Sequence, residues 1–296
     1  MNRKEESETD GMRRNGEERC YVRQLRRIWL GLFLMLAVMA CRPDKVLANP
    51  TIAKIGACSR GYDITGDGRA DRITITATAR DRYGNPVGRT VKVNGRTALR
   101  VPDYVGYGFD AQIITLNRSV PFLYLRIWGN NGPDSCGIYR YSRGRLRNVF
   151  DFMTFYKYGS HQDGHIRKVS VNKIYIAQDA MSWAFGSLSL RFTLVYRGGT
   201  LRLASRYGDV AWIAGTGVSA YKPLRYTTKL YRTAASGRVS RTLAKGTRVR
   251  IEKVYMGQNS VRFYIRTRNG KGGWYVSPKK HRYGMRPLLI GQFYAG

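Results

Sequence analysis

The chain has 296 residues, of which 52 are Lys or Arg and only 19 are Asp or Glu, a net charge of +33 at pH 7. An ordinary soluble surface mixes both signs, so a charge this one-sided is expected to attract polyanions such as wall teichoic acids, anionic polysaccharides, lipid headgroups or released nucleic acid. Four cysteines without a C-x-x-C pair give zinc and thioredoxin chemistry no support, and the scarcity of carboxylates leaves glycoside hydrolysis poorly supplied.

In chain order, Arg23, Arg26 and Arg27 precede an unbroken apolar run from Ile28 to Ala40. That run falls short of the roughly 20 apolar residues of a membrane span and matches the basic and apolar regions of a signal peptide. Val46-Leu47-Ala48 offers small residues where a signal peptidase reads, so residues 1–48 are expected to be a leader cleaved before Asn49. Val38-Met39-Ala40-Cys41 offers a second outcome, lipid modification at Cys41, although Met39 fits a lipobox poorly. Either route predicts a secreted or cell-surface chain, held at a membrane only if lipidated. The exported part keeps Cys58 and Cys136. Outside the cell these are candidates for a disulfide, with two free buried thiols as the alternative.

Asp63-Ile-Thr-Gly-Asp-Gly-Arg-Ala-Asp71 sets oxygen-bearing side chains at its first, third, fifth and ninth positions: Asp63, Thr65, Asp67 and Asp71. Arg69 would add a backbone carbonyl, and Gly66 and Gly68 permit the tight curl. A hard oxygen cage of this kind suits Ca²⁺. Position twelve is Thr74 rather than Glu, and the residues after it have the pattern of a strand, which excludes an EF-hand. The spacing resembles the calcium loop of integrin-type FG-GAP and VCBS repeats, where such a loop leads into a strand of a propeller blade. The resemblance implies a Ca²⁺ site at Asp63, Thr65, Asp67, Arg69 and Asp71; a plain Asp/Gly surface turn is the alternative.

Beyond the loop, Ile73, Ile75 and Ala77 alternate with Thr74, Thr76 and Thr78, the period-two signature of a half-buried strand. Val91-Lys-Val93, Asn94-Gly95 and Thr97–Val101 read as a hairpin with a type I′ turn. Further strands are expected at Gln112–Leu116, Phe122–Trp128, Gly137–Tyr141, Leu146–Phe152, Ile166–Val171, Lys173–Gln178, Leu188–Tyr196 and Thr200–Ser205. Many short strands at regular spacing predict an all-β fold. An internal echo between 138–149 and 193–204 predicts repeated hairpins. The expected architecture is a propeller-like or sandwich β domain over 49–210, a linker over 211–225, a small barrel over 226–278 and a tail over 279–296.

The barrel expectation comes from a resemblance. Lys245-Gly-Thr247 with Val249, and Asn269-Gly-Lys-Gly-Gly-Trp274 with Val276, resemble the signatures of the bacterial Src-homology-3-like domain of secreted and wall-associated proteins. Tyr264 stands at that family's usual Trp position. Val249, Ile251, Phe263, Ile265 and Val276 are expected to face inward, with Arg248, Arg250, Arg266 and Arg268 outward. Trp274 either packs as core or, with Tyr264, lines a shallow groove for sugar or peptide.

Catalytic constellations are thin. His161, Asp163 and His165 could make a metal site, but His161-Gln-Asp-Gly-His165 reads first as an Asp-Gly turn. Asp103, Asp110, Asp134, Asp151, Asp179 and Asp209 share no motif, and Glu252 lies beside Lys253. Cys136 with His161 or His165 is the one nominal nucleophile–base pair, and nothing opens a helix there. The sequence therefore predicts a non-enzymatic, calcium-stabilised binding protein of the cell surface. Its partner would be anionic wall polymer or another extracellular polyanion, with no small-molecule cofactor and nucleic acid disfavoured. A wall-acting enzyme with an unidentified site and a polyanion- or nucleic-acid-binding adhesin are the alternatives.

Overall fold

The computed structural model describes residues 49–105, 107–116, 121–129, 132–214 and 220–292. The expected leader and Cys41 lie outside them. Twenty strands and a single helical turn make the described chain all-β, arranged as three antiparallel sheets, none of them closed.

The first sheet has four strands in chain order: β2 (Cys58–Tyr62), β3 (Asp71–Arg80), β4 (Pro86–Val93) and β5 (Arg96–Val105). Its predicted hairpin forms as expected, with Asn94 and Gly95 at φ 51° and 81°, both positive as a type I′ turn requires. The second sheet is a meander of β6 (Gly108–Thr115), β7 (Pro121–Gly129), β8 (Gly132–Ser142) and β9 (Arg145–Asp151), with β1 (Thr51–Ile55) added on β6. It lies between the other two. Leu123, Leu125 and Ile127 of β7 pack with Ile73, Ile75, Val91 and Val93 of the first sheet. Phe122 and Tyr124, on the opposite face of the same strand, pack with Ile174, Ile176, Leu190 and Phe192 of the third.

That third sheet has eleven strands. Its main order is β10 (Gly159–Ser170), β11 (Lys173–Ser182), β12 (Gly186–Arg197), β14 (Tyr207–Ile213), β18 (Arg248–Met256), β19 (Val261–Thr267), β20 (Gly272–Val276), β16 (Thr228–Tyr231) and β17 (Val239–Leu243). The short β13 (Thr200–Leu203) pairs with β12, and β15 (Lys222–Pro223) with β18. The internal echo maps onto equivalent hairpins, β8–β9 and β12–β13, which touch where Arg140 Nη1 donates to the Gly199 carbonyl at 3.0 Å.

Four expectations are corrected. The strand expected to reach Phe152 stops at Asp151, whose carboxylate accepts from the Met153 N–H at 2.9 Å and caps the helical turn α1 (Phe152–Phe155). The expected linker and separate barrel are not separate. Residues 207–213 form β14, which joins β12 to β18, and one hydrophobic core runs from Phe122 through Leu190 to Phe263 and Leu289. The expected tail belongs to that core as well: Leu288 and Leu289 are buried, the Arg225 N–H donates to the Leu288 carbonyl, and the Leu288 N–H donates to the Ala184 carbonyl. Within the barrel region Val249, Ile251, Phe263 and Ile265 face inward as expected, whereas Val276 is paired with Arg262 on the outward face and Tyr275 takes the inward place.

Phe185 stacks edge-on against Phe263 at 4.7 Å and so ties the two halves of the long sheet together. Phe185→Ala should cost about 3–5 kcal/mol while thermal unfolding keeps one cooperative transition. Two transitions, with only the earlier one shifted, would show instead that residues 226–278 fold apart.

Candidate functional site

The calcium-type loop joins β2 to β3 and is wound around two carboxylates. Asp63 accepts from the N–H groups of Gly66 (2.6 Å), Asp67 (3.1 Å) and Gly68 (2.8 Å). Asp71 is buried and accepts from the N–H groups of Ile64 and Thr65 at 2.7 and 2.9 Å and from the Asn94 side-chain amide at 2.6 Å. The Thr65 hydroxyl lies 3.3 Å from Asp63 Oδ1 and 3.4 Å from Asp71 Oδ1, so these three predicted ligands converge. Gly66 and Gly68 sit at φ 80° and 86°, the left-handed backbone the curl requires. Asp67 accepts from the Arg69 N–H at 2.8 Å. The converging oxygens of Asp63, Thr65 and Asp71 suit a hard cation.

A second cluster lies where the central sheet meets β10. The segment expected to be an Asp-Gly turn is strand throughout, and Asp163 and His165, two residues apart, share one of its faces. Gly164 between them faces the core, where a Cβ would come within 1.8 Å of the Phe152 ring, so only glycine lets that ring lie against the strand. Asp179 on β11 stands opposite Asp163. His165 Nε2 is 2.9 Å from Asp179 Oδ2 and 3.9 Å from Asp163 Oδ2. From β7, Arg126 clasps Asp163 with both arms, Nε to Oδ1 at 2.8 Å and Nη2 to Oδ2 at 2.5 Å, and reaches Asp110 on β6 at 3.3 Å. His161 takes no part: it is exposed and hydrogen-bonded to Ser160.

Asp163, His165 and Asp179 present ligand atoms all within 4.8 Å of one another. A cation there would sit against the Arg126 guanidinium, which already occupies both oxygens of Asp163. The cluster is therefore better matched to an ion-paired seam between two sheets than to a metal cage. The hydrogen bond to Asp179 raises the pKa of His165 against the opposing effect of burial. Burial pushes the Asp179 carboxyl up, but the His165 and Ser189 hydrogen bonds outweigh it and leave it below its ordinary value.

Cys136 lies beneath this seam, its sulfur 3.3 Å from the Gly164 carbonyl and 3.7 Å from the Tyr124 hydroxyl. Burial raises the pKa of both Cys136 and Tyr124, which holds sulfur as thiol rather than thiolate and leaves no activated nucleophile. Of the two alternatives for Cys58 and Cys136, the disulfide does not form; both are free thiols, and only Cys136 is buried. Cys58 is exposed on the four-stranded sheet, while Cys136 is buried in the core on the far face of the central sheet.

The third candidate is the outward face of the eleven-stranded sheet. Tyr264 and Trp274 are direct cross-strand partners, as are Tyr207 with Tyr255 and Trp274 with Tyr231. Trp274 is only 9% exposed because Tyr264 (5.4 Å), Tyr207 (5.7 Å) and Tyr255 (6.4 Å) pack edge-on around it. Its ring is thus a packing element of the outward face and not an open platform, while Tyr207 is half exposed. Around these rings stand cations: Arg262 over Tyr231 at 5.3 Å, Arg266 over Tyr264 at 5.9 Å, and Arg250 and Arg268 over Tyr221 at 5.5 and 5.7 Å. Sequence reasoning singles out Tyr264 and Trp274 and misses Tyr207, Tyr255 and Tyr231, which come together only through strand pairing.

Two outcomes test the seam. Arg126→Ala strands Asp163 and should cost about 2 kcal/mol in chemical denaturation. The His165–Asp179 pair stabilises the fold above the depressed pKa of Asp179 and below the raised pKa of His165, and is lost as pH falls through the first or rises through the second. The stability difference between the parent and His165→Ala should therefore shrink toward alkaline pH; a constant difference would remove the ion pair from the account. No family model, curated protein or solved structure matches this chain, so its chemistry has to be read from its own side chains.

Proposed function

We propose that this protein is a non-catalytic binding protein of exported type, whose cationic β surface holds an anionic polymer of the cell surface and whose β2–β3 loop binds Ca²⁺ as a structural ion. One observation carries the polymer reading. Across β18 and β19, Arg250 and Arg266 are directly opposed, and across β8 and β9, Arg140 and Arg147 are. Like charges set opposite one another destabilise a sheet. Glu252 relieves the first pair by bonding both Arg250 and Arg266. Arg140 finds the Gly199 carbonyl and the Tyr196 ring, whereas Arg147 is exposed. A surface that keeps arginines so close is relieved by a polyanion, which supplies the missing charge at many points together.

The resemblances to FG-GAP and VCBS repeats and to the Src-homology-3-like barrel fit the same reading. The four-stranded meander β2–β5 carries the loop at its first turn, and β6–β9 stacks on it as a second meander, an arrangement akin to successive propeller blades. The Lys245-Gly246 and Asn269-Gly270 turns connect strands of the long sheet in the manner of an opened barrel. Calcium would be held by Asp63, Thr65, Asp67, Asp71 and the Arg69 carbonyl. When bound it would cross-link the start of β3 to the end of β2. The buried, pKa-raised Cys136 and the Arg126-neutralised Asp163 support a non-catalytic role.

Pull-down with isolated cell wall should retain the protein at low salt and release it as salt rises, with at least a ~tenfold loss of affinity between 50 and 500 mM; retention independent of salt would refute the electrostatic reading. Calorimetric Ca²⁺ titration should give one site and a higher melting temperature, both abolished in Asp67→Ala. A parent protein that releases no heat with Ca²⁺ would return the loop to a plain hydrogen-bonded turn.

A further inference from the structure

The outward face of the eleven-stranded sheet holds a groove of about 500 Å³ between β10, β11, β12 and β14. Its volume falls in the range of pockets that take compact organic ligands, about 300–1,000 Å³. Arg167, Lys168 and Arg191 line it, with Asp209 as its one carboxylate and with Tyr175, Tyr207 and the buried Phe192 as its aromatic residues. Arg167 enters because it is the extra residue of a bulge: Lys168 pairs with Tyr175 and Ile166 with Ile176, so the strand bends there and re-aims its side chains. Among the described residues, Arg167, Arg191 and Asp209 make no ion pair or side-chain hydrogen bond. This holds although Asp209 stands opposite both Arg191 and Lys253 in the sheet. Groups able to neutralise one another are thus held apart around open space.

We propose that this groove binds an acidic sugar unit, a pyranose-sized ring carrying a phosphate or a carboxylate. The inference rests on the polyanion-binding reading and gives it a specific subsite. Arg167 and Arg191 supply forked donors for the anionic group. Lys168 already covers the Tyr175 ring, 4.5 Å from its centre, which leaves half-exposed Tyr207 as the ring for the apolar face of the sugar. Asp209 is an acceptor for sugar hydroxyls, as are the hydroxyls of Ser205 and Thr193. A nucleic-acid strand fits less well, because Asp209 would face its phosphates and a single open ring offers no succession of stacking platforms.

The test is calorimetry of the full chain with a phosphate-bearing hexose tetramer, a hexuronic acid tetramer, a neutral hexose tetramer and an oligothymidylate. The parent is compared with Arg167→Ala/Arg191→Ala, with Tyr207→Ala and with Arg145→Ala/Arg147→Ala on β9, which removes equal charge elsewhere. All these side chains are exposed, and circular dichroism checks that each variant stays folded. At least one acidic tetramer should bind the parent more tightly than the neutral one. The groove double variant should lose about tenfold or more of that affinity, Tyr207→Ala should weaken it without altering its salt dependence, and the β9 variant should stay within about twofold. The tighter of the two acidic tetramers identifies the source of the anionic group. Equal losses in both double variants, or wall binding by a parent that takes no tetramer, would overturn the groove while leaving the wider reading standing. Failure to bind either wall or tetramer would overturn both. Tighter, groove-dependent binding of the oligothymidylate would assign the site to nucleic acid instead.

Discussion

The middle strand of the central five-stranded sheet, β7, is buried on both faces, and the rest of the fold depends on that. Along β7, Phe122, Leu123, Tyr124 and Leu125 are all buried in succession, so the strand reads as a continuous apolar run and not as an alternation. Odd and even positions serve two different cores, one shared with the four-stranded sheet and one with the eleven-stranded sheet. At about 1.5–3 kcal/mol for each fully buried large side chain, this one strand fastens three sheets together. The outer faces of the flanking sheets are left free to carry the charge that makes the protein so basic.

Arg126 shows what that arrangement demands of a charged residue. It is the only ionisable group on β7 apart from the buried Tyr124, and it emerges where the central sheet meets β10. There it engages Asp163 and Asp110, and the His165–Asp179 pair lies alongside. The acidic groups of an otherwise cationic chain are thus concentrated on internal duties: three in the β2–β3 loop, three at this seam, Asp151 capping α1 and Glu252 between two arginines. Placed in this way, they leave the outer surface with little to balance its Arg and Lys.

That allocation connects the fold to the proposed binding. The long sheet's outward face combines opposed arginines, rings packed edge-on around Trp274, and a groove whose arginines have no internal counterions. A polymer with regularly spaced negative charge can satisfy many of these positions at once, which single ions do less effectively. The chemistry of each position is ordinary; under the proposed reading, their alignment on one sheet is what would favour chain-like anions over single ions.

Much of this was legible in the residues alone. Alternation at Ile73–Thr78, the Asn94-Gly95 turn, the 138–149 and 193–204 echo and most strand positions follow from local preferences, and local preferences survive folding. The winding of the β2–β3 loop was legible too, because its glycines and acids act within nine residues. Anything fixed by strand register was not. Counting back from the β10–β11 turn, where Ser170 pairs with Lys173, an unbroken ladder would set Asp163 against Ala180; the bulge at Arg167 shifts the pairing by one and brings Asp179 opposite instead. The same kind of slip places Glu252 between Arg250 and Arg266. The unity of the two halves was not legible because β14 joins β18 across a long stretch of intervening chain. Composition and short-range pattern therefore determined the class of structure and its charge, while the tertiary fold alone decided which charges meet, since a one-residue change of register turns every side chain of a strand to the other face.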